Sequence, residues 1–366
     1  GLSLTDMGKF MSGKIVRVST GISSFSENFN GSAAPKDLET LFHMVHLYFT
    51  SLNKDEEAFN SFMTKQKGFL GNLMANPQFY FQDQLGQIKN EGNPRYTGFP
   101  TVEKMDAADY DLAYKKYQER FADAGDFHFY FVGNVDEAKL KEYATTYLAS
   151  LPGKNSNEKF VPTKFRRKDS YQKHTIKKGS DPKSNVSITW EEEIPYDSDT
   201  ETAVNALGEV LTIKLVEKLR EEEGGVYGVG ARGNLSKISF SNLIFSISFP
   251  CGPENVDKLI TAALGEVEKI KKDGVAPKDM AKVKETYLLK RKEDMKTNRF
   301  WIGNLVKADQ EDRSLEEMMQ FEAKLDKLTA ENVQKVAQKY LDENYFLGIL
   351  MPETELPQIL ILTVVS

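Results

Sequence analysis

Leu219-Arg220-Glu221-Glu222-Glu223-Gly224-Gly225-Val226-Tyr227-Gly228-Val229-Gly230-Ala231-Arg232-Gly233 joins a helix end, a turn and a strand start in one stretch. Upstream, residues 202–219 place Val204, Leu207, Leu211, Leu215 and Leu219 on one face, the pattern of a helix buried on one side. Gly224 and Gly225 end that helix, because glycine is costly inside it and tolerates positive φ at its cap. Val226, Tyr227, Val229 and Ala231 then resume as a strand. This places Arg220 at the helix terminus and Tyr227 at the strand entry, so that both side chains can look into one cleft.

Glu221, Glu222 and Glu223 lie where the helix dipole disfavours negative charge. A local rule broken without visible compensation points to function. The competing reading is an ordinary glycine cap beside a solvated acidic face.

Over the whole chain, 366 residues are long for one hydrophobic core and suggest two domains. A hydrophobic content of 40%, 28% charged residues and 11% aromatics are those of a globular protein. No apolar run reaches the roughly 18 residues of a membrane span, and the apolar tail at 356–365 is short and contains Pro357. The net charge of −6, with both signs interspersed, gives no nucleic-acid footprint. Cys251 is the lone cysteine, which excludes an intramolecular disulfide and a multi-cysteine metal site. The opening Gly-Leu-Ser-Leu-Thr-Asp lacks the charged and apolar regions of a signal peptide, which fits either an intracellular protein or a piece beginning at a domain boundary.

In chain order, residues 14–18 and 22–29 alternate around Thr20-Gly21 as a hairpin. Pro35 opens a helix with Leu38, Leu41, Phe42, Val45 and Phe49 on its apolar side. A second helix is expected over 55–74. Residues 76–100 then read as mostly irregular, with a short helix at 82–88. Tyr110, Tyr114, Tyr117 and Phe121 form an aromatic stripe on a helix, read as core packing. A short strand at 127–132 leads to a helix capped by Asp136. Residues 154–183 carry ten Lys or Arg against Glu158, Asp169 and Asp181, and read as a solvated linker entering the next strand. Strands at 171–176 and 184–190, the long helix, strands at 226–234 and 240–249, several helices and a last strand at 345–351 repeat the plan of the first half. The fold class is α+β: two homologous domains, each a mainly antiparallel sheet packed on one face by helices, spanning 1–153 and 171–366 with a linker at 154–170.

The stretches Ser32-Ala33-Ala34-Pro35-Lys36-Asp37-Leu38-Glu39, Leu47-Tyr48-Phe49-Thr50, Arg120-Phe121-Ala122-Asp123-Ala124, Phe131-Val132-Gly133-Asn134-Val135-Asp136 and Tyr147-Leu148-Ala149-Ser150-Leu151-Pro152 resemble the third domain of the inverzincin zinc peptidases of the pitrilysin and insulinase type. Lys183-Ser184-Asn185-Val186 and Leu219 through Tyr227 resemble its fourth domain. The resemblance covers nearly the whole chain. That family's zinc motif, H-x-x-E-H, is not present: in His43-Met44-Val45-His46-Leu47, His46 stands at the glutamate's place and Leu47 at the second ligand's. His43 and His46 at i and i+3 can share a metal, but neither a third ligand nor a base is evident. His128 and His174 have no ligand-like neighbours, and no serine or cysteine nucleophile has a triad pattern around it.

The resemblance implies an arginine and a tyrosine seven residues apart that reach substrate near the zinc, and Arg220 and Tyr227 match them. It also implies a non-catalytic, peptide-enclosing C-terminal half of a zinc metalloendopeptidase, inactive alone. This chain then holds no cofactor, and the zinc is expected in the N-terminal half. The partners are a peptide substrate and that catalytic half, with no nucleic acid and no membrane span. A separate zinc-lacking subunit of a two-chain peptidase and a degenerate peptide-binding scaffold are the alternatives. The bacterial periplasm or cell envelope is the compartment the resemblance favours.

Overall fold

The structure, a computed structural model, describes residues 3–353 other than 155, 157, 169 and 239. The apolar tail at 356–365 lies outside the described residues. Helix α1 (Leu4–Phe10), capped by Ser3, precedes an antiparallel hairpin of β1 (Val16–Ile22) and β2 (Glu27–Ala33). The turn expected at Thr20-Gly21 sits at 23–26 instead. There the Ser23 hydroxyl accepts from the amides of Phe25 and Ser26 at 3.2 and 2.9 Å, a side-chain turn that needs no glycine. Gly21 remains inside β1, opposite Asn28.

Pro35 begins a short 3-10 turn that runs into α2 (Leu38–Thr50), followed by α3 (Glu56–Ala75). The next helix, α4 (Pro77–Lys89), is longer than the sequence pattern suggested. Asn76 accepts from the amides of Gln78 and Phe79, and Pro77 takes the first helical position, where its missing N–H costs nothing. Then come α5 (Val102–Asp106), α6 (Tyr110–Arg120) and α7 (Glu137–Tyr143), the last capped by Asp136 and prolonged by a π turn at Ala144–Leu148.

Two compact units result. The first comprises residues 1–72, 99–162 and 297–306; the second comprises 73–98, 163–296 and 307–366, so α4 counts with the second. The first unit is held by aromatic packing. Phe29 lies 4.7 Å from Phe49 and 5.0 Å from Phe121, and Phe42 stacks on Phe131 at 5.1 Å. The tyrosine stripe of α6 is packing, as read: the Tyr114 and Tyr117 hydroxyls donate to the carbonyls of Leu52 and Tyr48, and Phe121 is buried. No strand forms over 127–132, where the apolar side chains serve the ring cluster without ladder pairing.

The second unit is built on a five-stranded sheet of β3 (Gln172–Lys177), β4 (Ser184–Glu193), β5 (Gly230–Ser236), β6 (Asn242–Cys251) and β7 (Phe346–Met351), in the order β3-β7-β4-β6-β5. All pairs are antiparallel except β3 with β7. Helix α8 (Ser198–Leu215) is followed by a π turn at Val216–Glu222, and after β6 come α9 (Val256–Asp273), α10 (Pro277–Asp294), α11 (Asn298–Gln310), most of which counts with the first unit, α12 (Leu315–Met319), α13 (Phe321–Lys327) and α14 (Ala330–Tyr340). The α+β class is therefore as expected, with two strands in the first unit and five in the second among the described residues.

The helices of the second unit do not all lie on one face. On β7, Leu347 and Ile349 join the main core with α8, α9 and α14, while Phe346 and Leu350 point the other way and pack with Phe81 and Leu85 of α4. Gly348 makes room there, because a Cβ would lie 2.6 Å from Leu85. Nor is the basic run purely solvated: Arg166 pairs with Glu193 and covers the Phe240 ring, and Arg167 pairs with Glu191.

Helix α8 meets β5 almost backbone to backbone. A Cβ on Gly208 would stand 3.0 Å from the Gly233 nitrogen, and one on Gly233 would stand 2.5 Å from the Val204 carbonyl oxygen. The Thr212 hydroxyl, 3.1 Å from the Ala231 carbonyl, accepts from the Ala231 amide at 2.9 Å, so the helix satisfies the Ala231 backbone of this outer strand. We expect Gly233→Ala to destabilise the chain by about 2–3 kcal/mol through overpacking against immovable backbone. Urea unfolding with an unchanged midpoint would show that α8 can lift without cost.

Lys89, at the end of α4, donates to the Thr189 hydroxyl at 2.9 Å and lies 4.7 Å from the centre of the Phe346 ring, with no carboxylate pairing among the described residues. Burial, and then the nearby Arg167 charge, lower its pKa from 10.5 to about 8. The folded pKa is depressed below the unfolded one, so the contribution to stability rises as pH climbs from 8 to 10.5 and is lost below 8. Lys89→Met should stabilise the protein at pH 7 by on the order of 1–3 kcal/mol and abolish this pH-dependent gain in thermal melts. A destabilised variant with the gain intact would contradict it.

Candidate functional site

Leu219 and Val226 are both buried in the main core, and each is followed by a residue that faces outward. Arg220 has a side chain 56% exposed, and Tyr227 is 97% exposed. The chain between them is turned by Gly224 at φ 61°, with the Glu223 amide donating to the Lys218 carbonyl and the Gly225 amide to the Leu219 carbonyl, both at 3.1 Å. Gly225 packs tightly: a Cβ there would lie 2.9 Å from the Leu259 methyls. Arg220 stands within the π turn, where one extra residue per turn shifts the helix face. Strand β5 starts at Gly230, so Tyr227 stands in the connecting loop and not on the strand expected from 226 onward.

The three glutamates are compensated. Lys218 lies 2.8 Å from Glu222 and 3.0 Å from Glu223, and Lys258 of α9 lies 2.7 Å from Glu223. Hydrogen bonds from Lys258 and Lys218 hold the Glu223 carboxyl below the usual range, and Glu222 and Glu223 in turn raise the Lys218 ammonium. The apparent violation of the dipole rule is thus repaired locally. The Lys218–Glu222 pair was readable as an i, i+4 spacing; Lys258 is distant in sequence and was not. Among the described residues, Arg220 pairs only with its neighbour Glu221, Nε to Oε1 at 3.6 Å on a solvated surface, which leaves most of its guanidinium donors available there.

The histidines of α2 are built for packing. His46 Nδ1 donates to the Tyr147 carbonyl at 2.9 Å, and His43 meets the Tyr147 ring edge-on at 4.6 Å. Both line a cavity of about 500 Å³ with Phe10, Leu47, Thr146, Tyr147 and Ser150, a lining with no carboxylate to serve as base or third ligand. Among the described residues, no three His, Cys, Asp or Glu side chains gather as a metal site. These residues do not fit a catalytic zinc. His174 stacks on Phe346 at 5.1 Å. After dialysis against a weak chelator, metal analysis should find far less than one zinc per chain. A tightly held, stoichiometric zinc would make His43 and His46 ligands after all.

Residues 113–287 match the family described as the peptidase M16 inactive domain. A probable zinc protease PqqL of Haemophilus influenzae is 24% identical over 281 residues, covering 75% of this chain and 29% of its own length. A probable zinc protease PqqL of Escherichia coli is 23% identical over 362 residues, covering 96% of this chain and 38% of its own. The crystal structure of the periplasmic protease PqqL from E. coli superimposes with a TM-score of 0.79 at 21% identity, over 96% of this chain and 39% of that one. The chain spans under two-fifths of the length of these relatives. It is homologous to the PqqL zinc proteases, and its residues 113–287 match the inactive domain of the M16 peptidases.

Proposed function

We propose that this chain is the half of a zinc metallopeptidase that encloses and positions a peptide for a zinc site held in the N-terminal half. The observation that carries the reading is the exposure of both Arg220 and Tyr227, each next to a buried neighbour, Leu219 or Val226, on the two sides of the Gly224 turn. In this reading the division into 1–153, a 154–170 linker and 171–366 is that of two clamping domains. The compartment is the periplasm, by analogy with the E. coli relative.

The chemistry asked of the pair is modest. Water attack on a peptide carbonyl converts a neutral oxygen into an oxyanion, which the zinc of the other half would help to bind. A guanidinium and a phenolic O–H placed at that oxygen donate hydrogen bonds that strengthen as charge develops. Neither residue accepts the proton, so neither is a base. Removal of one such donor lowers the rate by about 10² to 10³.

In the complete or reconstituted enzyme, Arg220→Lys and Tyr227→Phe should leave the melting temperature unchanged and lower kcat by at least about tenfold, with a smaller change in KM. Lysine keeps the charge and loses the planar fork, so full activity in Arg220→Lys would reduce the role to charge steering. Near-normal kcat in both variants would leave only a solvated helix cap.

A further inference from the structure

The second unit contains a cavity of about 390 Å³ between the first turn of α8 and the facing sides of α13 and α14. Its floor is part of the core: Ala203, Leu328, Val336 and Tyr340 are all buried. Its rim bears Lys324, Lys327, Lys335 and Lys339 against Asp197 and Asp199. In a chain of net charge −6, this wall carries more cations than anions.

Helical spacing explains the lining. Asn332, Lys335 and Lys339 follow at i, i+3 and i+7 on α14, beside Val336 and Tyr340, so one face offers amines above an apolar strip. The acids are weaker than their number suggests, because the Asp197 carboxylate is occupied as the α8 cap, accepting from the Thr200 amide at 2.8 Å and its hydroxyl at 2.7 Å. Asp199 sits in the first turn of α8, where the helix dipole offsets its charge. Of the lysines, Lys324 is committed to Ser198 and Glu317, both at 2.6 Å, and Lys335 has one exposed partner, Glu331. Lys339 lies 4.9 Å from the Tyr340 ring centre, hydrogen-bonds that tyrosine's side chain and feels the Glu192 charge, and among the described residues Lys327 has no ion pair.

An apolar floor ringed by amines suits a ligand with both characters. We propose that this cavity binds a carboxylate-bearing peptide segment, with an apolar side chain on Leu328, Val336 and Tyr340 and its neighbouring carboxylates on Lys327, Lys335 and Lys339. Such a site selects acidic peptides without touching the scissile bond. It is separate from the Arg220 and Tyr227 surface and does not rest on their role.

The test uses the whole chain and a fluorescein-labelled peptide of alternating Leu and Glu, followed by anisotropy at low salt, with a Leu/Gln peptide and a Ser/Glu peptide as controls. We expect the Leu/Glu peptide to bind at least about tenfold more tightly than either control, and to weaken steeply with added salt. The triple variant Lys327→Gln, Lys335→Gln, Lys339→Gln, which changes only exposed side chains, should lose that preference while keeping the wild-type melting temperature. Equal binding of the Glu and Gln peptides, or undiminished binding by the triple variant, would overturn the proposal. So would a Ser/Glu peptide as tight as Leu/Glu, which reduces the effect to surface charge. Displacement by millimolar inorganic phosphate but not by unlabelled Leu/Glu peptide would make the cavity an anion site and overturn it as well. The readout is binding without hydrolysis, so its failure is distinguishable from unchanged kcat in the Arg220 and Tyr227 variants.

Discussion

The near contact of two backbones, α8 at Gly208 and β5 at Gly233, is the constraint on which the second unit depends. With no Cβ on either side, the helix sinks onto an edge strand, and Thr212 ties the Ala231 backbone to the helix. An edge strand otherwise presents unpaired amides and carbonyls to any passing strand. Close docking also brings Ala203, Val204, Leu207 and Leu211 within reach of the rings of β6, and buries the helix's apolar side completely.

The candidate site depends on that seating. Once α8 is fixed, Leu219 is drawn into the same core, and Leu259 closes over Gly225. The turn at Gly224 then has little freedom, and the residues after Leu219 and Val226 are forced outward. Two exposed donors on rigid supports lose less entropy on engaging a ligand than the same groups on a mobile loop. The surrounding Lys218, Lys258 and glutamates neutralise one another, so Arg220 remains the cation with only a long, solvated contact in that cap.

Much of this was legible in the residues, for identifiable reasons. The period of α8, the alternation of β4 and β6, the glycine stop and the aspartate cap at 136 are local signals, and they appear where expected. What was not legible depends on competition or distance. Ser23 outbids Gly21 for the hairpin turn, Asn76 recruits Pro77 into a helix, and Phe127 to Val132 have strand composition but spend it on the ring cluster. The second face of the sheet became visible only because Gly348 admits Leu85 from a helix more than 250 residues earlier. At the site, residue types and their separation could be read, whereas the π turn, the outward geometry and the Lys258 contact could not.

The π turn at Val216–Glu222 amounts to one residue inserted into a helix whose two ends are already anchored. Leu215 and Leu219 before Arg220 and Val226 after it all remain buried, so the surplus residue is absorbed as a wider coil and not as a shift of the core. Removing a single residue there would restore 3.6 residues per turn and rotate the helix end beyond it by about 100°. The side chain at that end would then sweep to another face while the core stayed in register. The aim of the guanidinium is therefore encoded in chain length as much as in residue identity, and a homologue with an intact arginine but one residue fewer would point it elsewhere.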